Sequence, residues 1–211
     1  MSLNLDLLME TAAREPLQLP LDLFYFVRHG ETAGNAGGIV QFPTAPLNTA
    51  GMAQAWRAGK LMQDEPVTHV VASTFMRAYQ TGLAVARATH THLSVSQDLV
   101  ERRFGYRMGM ANHDLDWADH PRGGESMQEF IDRTRLGLLE SFAKGPVPAV
   151  VAHGGNLRVI AASLGTDLPD GSVGNATPLK FERIDGRWTL TFVGGPEART
   201  STEAADKVAV S

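Results

Sequence analysis

Two histidines, each followed by glycine, are the residues of this chain best suited to chemistry. His29 follows Arg28 at the end of an apolar segment, 21–27, and His153 ends a second apolar segment, 147–152. Both segments have the length and composition of buried strands. The carboxyl ends of parallel strands meet at one edge of a sheet, so we expect the two imidazoles to face each other across a crevice there.

The neighbours of these histidines predict an anion as the ligand. Gly30 and Gly154 have no Cβ to crowd a ligand, and we expect their backbone N–H groups to point at it. Arg28 and Arg77 carry planar guanidinium groups that match phosphoryl oxygens, and Arg77 lies at the start of a predicted helix. The sequence therefore predicts a phosphate site.

Strands alternate with helices around these residues. A capping-box pattern, Ser126 with Glu129, begins one helix, and Thr49 is expected to cap another. Asp185-Gly186 is expected to join a hairpin at the sheet edge. The alternation predicts a three-layer α/β/α sandwich with a mostly parallel central sheet. The predicted strands are 21–27, 67–72, 93–95, 147–152, 181–184 and 188–193, and the predicted helices begin near 49, 74, 126 and 157.

The length of 211 residues favours one domain. We assign the domain to 21–194, preceded by a peripheral leader, 1–20, and followed by a disordered tail, 195–211. The stretch 101–124 has no sustained periodicity, and we name it the lid loop because long irregular loops often close over sites.

Composition excludes several classes of function. Lys and Arg number 19 against 23 Asp and Glu, without any basic run, so nucleic acid is not expected as a partner. The absence of cysteine excludes disulfides, thiolate nucleophiles and cysteine-ligated metals. The N-terminal residues do not resemble a signal peptide, and no apolar run is long enough to span a membrane. A cytoplasmic protein without a membrane partner is expected, and its oligomeric state is left open.

In order along the chain, these motifs resemble those of the histidine phosphatase superfamily, also called the phosphoglycerate mutase-like family. The resemblance spans roughly 24–160, and the lid loop and the helix after it are shorter than the corresponding region of true phosphoglycerate mutases. The matching residues are Arg28-His29-Gly30-Glu31-Thr32 with Asn35, then Gln41, Pro46-Leu47, Gly51 and Gln54-Ala55, then Ser73 with Arg77-Ala78 and Gln80-Thr81, then Glu101 with Phe104-Gly105, then Gly124-Glu125-Ser126, and finally His153-Gly154-Gly155 with Arg158.

The resemblance implies a fold, an activity and residue roles. It implies a phosphoglycerate mutase-like fold and a metal-independent phosphatase that acts on a small phosphomonoester, with no cofactor. It implies that His29 becomes phosphohistidine and that Glu101 is the general acid. It further implies that Arg28, Arg77 and His153 hold the phosphoryl oxygens, with Asn35 and the Gly154 amide nearby.

Physical chemistry is consistent with those roles. Charge spreads over three phosphoryl oxygens during transfer, and two guanidinium groups with a protonated imidazole can stabilise it without Mg²⁺. His29 can attack only through an unprotonated nitrogen, so we expect its other nitrogen to bond a backbone carbonyl.

Two alternative activities stay open. Mutase-type phosphoryl transfer is favoured by arginines that could bind a second anionic group, namely Arg102 and Arg103, with Arg107 and Arg122 as further candidates. A phosphate-binding module without turnover would lack a nucleophile or an acid, and this chain has candidates for both.

For the remaining candidates the structural interpretation is favoured. His90 and His92, and the cluster of His and Asp between 113 and 120, lack metal-ligand spacing, so no metal site is predicted. Asn35 could equally cap a loop. Glu101 could form a surface ion pair with its arginine neighbours. Met52, Trp56 and Met62 are expected in the core, and Arg133 and Arg135 on a solvated helix face.

Overall fold

A central sheet flanked by helices makes up the part of the protein that the computed structural model describes, residues 4–195. In chain order the elements are α1 (Leu5–Ala13), β1 (Leu23–Arg28), α2 (Ala33–Ala36), α3 (Thr49–Met62), β2 (His69–Ser73), α4 (Met76–Ala88), β3 (Leu93–Ser96), a 3-10 turn (Gly105–Arg107), α5 (Met127–Phe142), β4 (Pro148–Ala152), α6 (Gly154–Leu164), β5 (Pro178–Ile184) and β6 (Arg187–Phe192).

The strand order is β3-β2-β4-β1-β5-β6. The first four strands in this order run parallel to one another. Strand β5 pairs antiparallel with β1, and β6 pairs antiparallel with β5. Strand β1 lies beside β4 with Arg28 opposite Ala152, so the residues that follow these two strands leave the sheet side by side. This register confirms the mostly parallel sheet and positions the two histidines.

Alternating side chains of the central strands fill two separate cores. Phe24 and Phe26 pack with α5 and α6, while Tyr25 and Val27 pack with α3 and α4. Because parallel strands need crossover helices, both faces of the sheet are covered and the strands are apolar throughout. The predicted three-layer α/β/α architecture is confirmed.

Several local signals are confirmed. Ser126 and Glu129 form a reciprocal capping box at the start of α5. The β5–β6 hairpin turns at Asp185 and Gly186, which both adopt left-handed backbone angles, with φ of 50° and 78°. The predicted cap at Thr49 is wrong by one residue, because the side chain of Asn48 accepts the bond from the Gly51 amide.

The predicted burial of α3 is only partly correct. Met62 is buried, but Met52 and Trp56 are 51% and 62% exposed. The buried face of α3 consists mainly of small residues, and a Cβ on Gly59 would lie 2.9 Å from the Ala84 carbonyl oxygen of α4. This close approach of the two helices uses the small face and leaves the large side chains outside.

The N-terminal helix is not peripheral, contrary to expectation. Leu8 of α1 is fully buried in a cluster with Phe104 and Trp117 of the lid loop. In addition, Asn4 donates a hydrogen bond of 2.8 Å to the Asp116 carboxylate. These partners lie about a hundred residues further along the chain, so the sequence of the leader alone does not indicate them. The boundaries assigned to the leader and to the domain stay predictions, and the predicted disordered tail lies outside the described residues except for Gly195.

None of the helices within residues 4–195 combines the length and the apolar composition that a membrane span requires.

Candidate active site

The carboxyl ends of β1 and β4 bring the two histidines together. The His29 amide donates a hydrogen bond of 3.0 Å to the Ala152 carbonyl, which continues the strand pairing by one residue. The imidazole rings of His29 and His153 have centroids 5.1 Å apart. The crevice predicted from the two His-Gly pairs is therefore present.

The hydrogen bonds of His29 define its tautomer. Its Nδ1 lies 2.8 Å from the Gly30 carbonyl oxygen, which can only accept, so Nδ1 carries the proton. The Nε2 atom accepts a bond of 3.2 Å from Arg77 Nε, so it is unprotonated. The backbone carbonyl expected to orient this ring is that of Gly30.

Two guanidinium groups converge on this pair. Arg28 Nη1 donates to the Val173 carbonyl at 2.6 Å. Arg77 Nη1 donates to the Phe42 carbonyl at 3.2 Å, and its guanidinium lies 5.1 Å from the centroid of the Phe75 ring. Both side chains are thus held by contacts that leave further N–H groups available.

Three buried nitrogen atoms of the predicted site residues have no hydrogen-bond partner among the described residues. One is Arg102 Nε, and the other two, which lie near His29, are Arg28 Nε and His153 Nδ1. The other nitrogen of His153, Nε2, shares a hydrogen bond of 2.9 Å with the Ser73 hydroxyl. A buried polar atom without a partner is costly in a folded protein, so these two atoms indicate where a polar ligand would bind.

The two glycines have different roles, and the expectation for Gly30 is wrong. Its N–H donates to the Thr81 hydroxyl at 3.0 Å, and a Cβ there would lie 2.5 Å from the Gly51 carbonyl oxygen. Gly30 therefore allows close packing against the start of α3. Gly154 is the first residue of α6, and a Cβ there would lie 3.6 Å from Arg28 Nε, which places a helix N-terminus beside the arginine.

Glu101 is held by backbone amides. One carboxylate oxygen accepts from the Gly155 amide at 3.2 Å and the other from the Arg102 amide at 3.0 Å. A Cβ on residue 155 would lie 2.3 Å from the carboxylate, so the second glycine after His153 is required for this contact. Within residues 4–195 no side chain forms a salt bridge with Glu101, which excludes the surface ion pair considered above.

Burial and positive charge dominate the electrostatics. Desolvation, reinforced by Arg28 and Arg77, lowers the pKa of both His29 and His153 well below its usual value. Burial also lowers the pKa of Arg77 to about 10, which leaves it charged at neutral pH. His153 is therefore neutral in the protein without phosphate, contrary to the protonated imidazole expected, because it lies beside fixed cations. The negative charge of a bound phosphoryl group would oppose that effect.

A cavity of about 610 Å³ opens onto these groups. Of the predicted site residues, seven line it: Arg28, His29, Asn35, Arg77, Glu101, Arg102 and Arg103. His153 and Gly154 do not line the cavity. They lie behind it, with His153 beside the His29 ring and Gly154 beside Arg28. The lid loop contributes part of the wall and is irregular apart from the 3-10 turn.

Asn35 combines both interpretations considered for it. It lines the cavity, and its side chain accepts a bond of 3.2 Å from the Thr32 amide in a capping box at the start of α2.

Most of the Arg102 guanidinium is committed to the lid loop, and only its Nε lacks a partner among the described residues, so a contact of Arg102 with substrate stays a prediction. Its guanidinium is buried and donates to the backbone carbonyls of Trp117, Asp119 and Glu125. Since these carbonyls come from distant parts of the lid loop and its C-terminal flank, Arg102 holds the loop in place. Arg103 differs, because its side chain is 50% exposed and lies 3.5 Å from Glu125.

Arg133 is a supporting residue that the sequence did not reveal. It does not lie on a solvated face: its guanidinium pairs with Glu125 at 2.5 Å and donates to the Val100 and Glu101 carbonyls at 2.7 and 3.1 Å. It thereby fixes the backbone that carries Glu101. The residue in the sequence that could have indicated this role of Arg133 is Glu125 of the matched Gly124-Glu125-Ser126 motif, because a buried carboxylate needs a cation nearby.

Two further supporting residues complete the site. Arg158 donates to the Gly154 carbonyl at 3.0 Å, and Asn175 donates to the His29 carbonyl at 2.9 Å. Arg158 belonged to the matched motif, whereas nothing in the sequence marked Asn175.

Within residues 4–195, no three His, Asp or Glu side chains come together as a metal site would require.

The ion pair of Arg133 leads to a stability prediction. Replacing Arg133 by alanine should lower the free energy of unfolding by ~3–5 kcal/mol, because Glu125 would stay buried without its cation. Chemical denaturation measures the change. Arg87→Ala, on the exposed surface of α4, is the control and should cost less than ~1 kcal/mol. Equal losses in the two variants would contradict the prediction.

The two histidines lead to a prediction for pH. Because their pKa values are lower in the folded protein than in the unfolded chain, the unfolded chain binds more protons as the pH falls below about 6.5. Their contribution is fully present above that pH and is lost below it, by up to ~1.4 kcal/mol per pH unit for each histidine.

Denaturation at pH 6.5 and 5.5 tests this prediction. His153→Gln should reduce the loss of stability between the two pH values, whereas replacement of the exposed His92 by glutamine should not change it. The same pH dependence in wild type and His153→Gln would refute the assignment.

The chain is similar to known proteins in both sequence and structure. The model of the histidine phosphatase superfamily (branch 1) matches residues 24–194. An agropine synthesis reductase from Rhizobium rhizogenes is 34% identical over 184 residues, which cover 82% of this chain and 42% of that protein. The chain thus spans about two fifths of the length of this relative.

Two further matches are shorter proteins. Phosphoglycerate mutase-like protein 4 from Arabidopsis thaliana is 32% identical over 152 residues, which cover 63% of this chain and 66% of that protein. A solved structure titled mycobacterial hydrolase 1 has a TM-score of 0.68 at 25% identity and covers 80% of this chain and 96% of its own. With the family model matched over most of its length, this chain belongs to the histidine phosphatase superfamily.

Proposed function

We propose that the protein is a metal-independent phosphatase that hydrolyses a small phosphomonoester through a phosphohistidine on His29. The observation that carries the proposal is the environment of His29 Nε2. This atom is unprotonated and contacts Arg77, and two buried nitrogen atoms without partners, Arg28 Nε and His153 Nδ1, belong to the same cluster. A nucleophile among cationic and neutral donors is what transfer of a phosphoryl dianion requires.

In the first step, the Nε2 lone pair attacks phosphorus while the bond from phosphorus to the alcohol oxygen breaks. Arg28 and Arg77 stabilise the charge on the equatorial oxygens. Before the attack, Arg77 exchanges its bond to Nε2 for bonds to the phosphoryl group, which frees the Nε2 lone pair. A proton that Glu101 takes up when the phosphomonoester binds passes to the departing alkoxide, so the alcohol leaves neutral.

In the second step, water replaces the alcohol. The Glu101 carboxylate takes a proton from the water, whose oxygen attacks phosphorus as the phosphorus–nitrogen bond breaks. The electron pair returns to Nε2, inorganic phosphate leaves, and Glu101 is again protonated. The amides of Gly155 and Arg102 hold the carboxylate in position throughout.

Relatives support this class of activity without distinguishing hydrolysis from mutase-type transfer. One solved relative is titled a hydrolase and one curated relative a phosphoglycerate mutase-like protein. Transfer between positions of one substrate remains the second candidate, favoured by the partly exposed Arg103 in the cavity. Release of inorganic phosphate from 3-phosphoglycerate indicates hydrolysis, and formation of 2-phosphoglycerate indicates the mutase.

The proposed partner is a small phosphorylated molecule and neither a nucleic acid nor a membrane. A cytoplasmic location is proposed with it.

The phosphohistidine can be trapped. Rapid mixing with ³²P-labelled substrate should label the wild-type protein, and the label should be lost in acid and survive alkali. His29→Ala should carry no label, whereas His92→Ala, on the exposed surface, should be labelled like wild type. A label that survives acid, or that persists in His29→Ala, would contradict the assignment of the nucleophile.

The role of Glu101 can be tested with the leaving group. Glu101→Gln should lower kcat/KM for an alkyl phosphate by about 10²- to 10⁴-fold, because an alkoxide needs a proton to leave. The ratio kcat/KM reports the first step, whereas kcat also contains hydrolysis of the phosphohistidine, in which Glu101 takes part for every substrate. The loss for p-nitrophenyl phosphate should be less than about 10-fold, since nitrophenolate leaves unaided. Glu140→Gln, in an exposed part of α5, should leave both activities unchanged. Equal losses of Glu101→Gln on both substrates would assign Glu101 another role.

A further inference from the structure

The cavity is larger than a phosphoryl group requires. Its volume of about 610 Å³ lies within the range of ~300–1,000 Å³ typical of sites for drug-sized ligands. The groups assigned to the phosphoryl transfer are few, and most of the lining belongs to other residues. The rest of the cavity is therefore available to the alcohol part of the substrate.

Apolar side chains form part of this remaining wall, which also contains the polar side chains of Gln41, Thr74, Gln97 and Asn112. The apolar side chains come from the segment after α2 and from the lid loop: Ile39, Val40, Phe104, Met108, Leu115 and Trp117. Four of them, Val40, Phe104, Leu115 and Trp117, also belong to the buried cluster that packs around Leu8 of α1. The wall is thus one side of a hydrophobic core, and its other side faces the cavity.

Backbone hydrogen bonds fix the two halves of this wall to each other. The amide of Val40 donates to the Met110 carbonyl at 2.9 Å, and the amide of Gly109 donates to the Val40 carbonyl at 2.8 Å. Ile39 and Ala111 form an isolated antiparallel bridge beside them. The apolar surface is consequently assembled before any ligand binds.

Aromatic packing fixes the deeper part in the same way. Trp117 contacts Phe104 edge-on, with ring centroids 5.3 Å apart, and lies 5.8 Å from the ring of Phe130. Such a rigid aromatic surface favours a ligand that can remove its apolar area from water.

Cations for a second anionic group are scarce at this wall. Both terminal nitrogens of Arg102 donate to backbone carbonyls, which leaves only its Nε without a partner among the described residues. Arg103 is half exposed and pairs with Glu125, so only part of its charge is available to a second anion. A substrate such as phosphoglycerate, small and with an additional carboxylate, would bury its polar body against apolar side chains, which is costly.

We propose that the preferred substrate is the phosphomonoester of an alcohol with an apolar ring or branched hydrocarbon body, which binds against the wall formed by Ile39, Met108, Leu115 and Trp117. This inference rests on the proposed phosphatase activity and specifies its substrate class.

Substrates with comparable leaving groups test the proposal. Benzyl phosphate, glycerol 1-phosphate and 3-phosphoglycerate all release a primary alcohol, so differences between them report on binding of the alcohol body. The measurement is kcat/KM from release of inorganic phosphate by the full chain. Benzyl phosphate should exceed the other two by about 10- to 100-fold, the effect of burying one phenyl-sized apolar group.

A matched pair of variants locates the preference. Met108→Gln keeps the length of the side chain and places an amide in the wall, so the ratio of benzyl phosphate to glycerol 1-phosphate should fall by about 3- to 10-fold. Met52→Gln introduces the same change on the exposed face of α3, and its ratio should equal that of wild type.

The outcomes separate the two proposals. Phosphate release from all three substrates with a benzyl preference below threefold, or a preference that Met108→Gln and Met52→Gln alter equally, overturns the substrate class and leaves the phosphatase standing. Lack of His29-dependent phosphate release from any of the three substrates and from p-nitrophenyl phosphate contradicts the proposed function itself, and the inference falls with it.

Discussion

The parallel pairing of β1 and β4 is the constraint on which the site depends. With Arg28 opposite Ala152, both strands end at the same level, and the bond from the His29 amide to the Ala152 carbonyl carries the pairing one residue further. A shift of one residue would turn alternate side chains to the other face of the sheet, with Phe24 and Phe26 entering the wrong core. The hydrophobic pattern of the strands therefore holds the imidazoles in contact.

The buried arginines around the two histidines favour the binding of a negatively charged ligand. Arg28, Arg77 and Arg158 all have pKa values lowered by burial, and Glu101 is the carboxylate that opposes the shift in each of them. Keeping cations out of water costs stability, and the hydrogen bonds to the Val173 and Phe42 carbonyls offset only part of that cost. A phosphoryl dianion supplies the missing compensation, which is why an arrangement costly to folding suits phosphoryl transfer.

The sequence predicts the features that depend on local pattern and fails where a contact spans the fold. Residues close together in the sequence determine three of the confirmed features. These are the apolar strands that end in His-Gly, the capping box at Ser126 and the turn at Asp185-Gly186. Burial of Arg102 and Arg133 is not, because their acceptors are backbone carbonyls of distant loops, which every residue possesses and no motif marks. The packing of α1 beneath the lid loop could not be predicted either, because its contacts also join residues that are distant in the sequence. The exposure of Trp56 follows from how closely two helices approach, which the spacing within one helix does not determine.

The backbone bonds between the segment 38–40 and the lid loop have a consequence for affinity. A loop that becomes ordered only around its ligand loses conformational entropy at that moment, and the loss weakens binding. In this protein the lid loop becomes ordered when the chain folds, so a ligand binds to a surface whose shape is already fixed. Discrimination between ligands then follows from shape and desolvation, and rearrangement of the protein reduces the binding free energy only slightly.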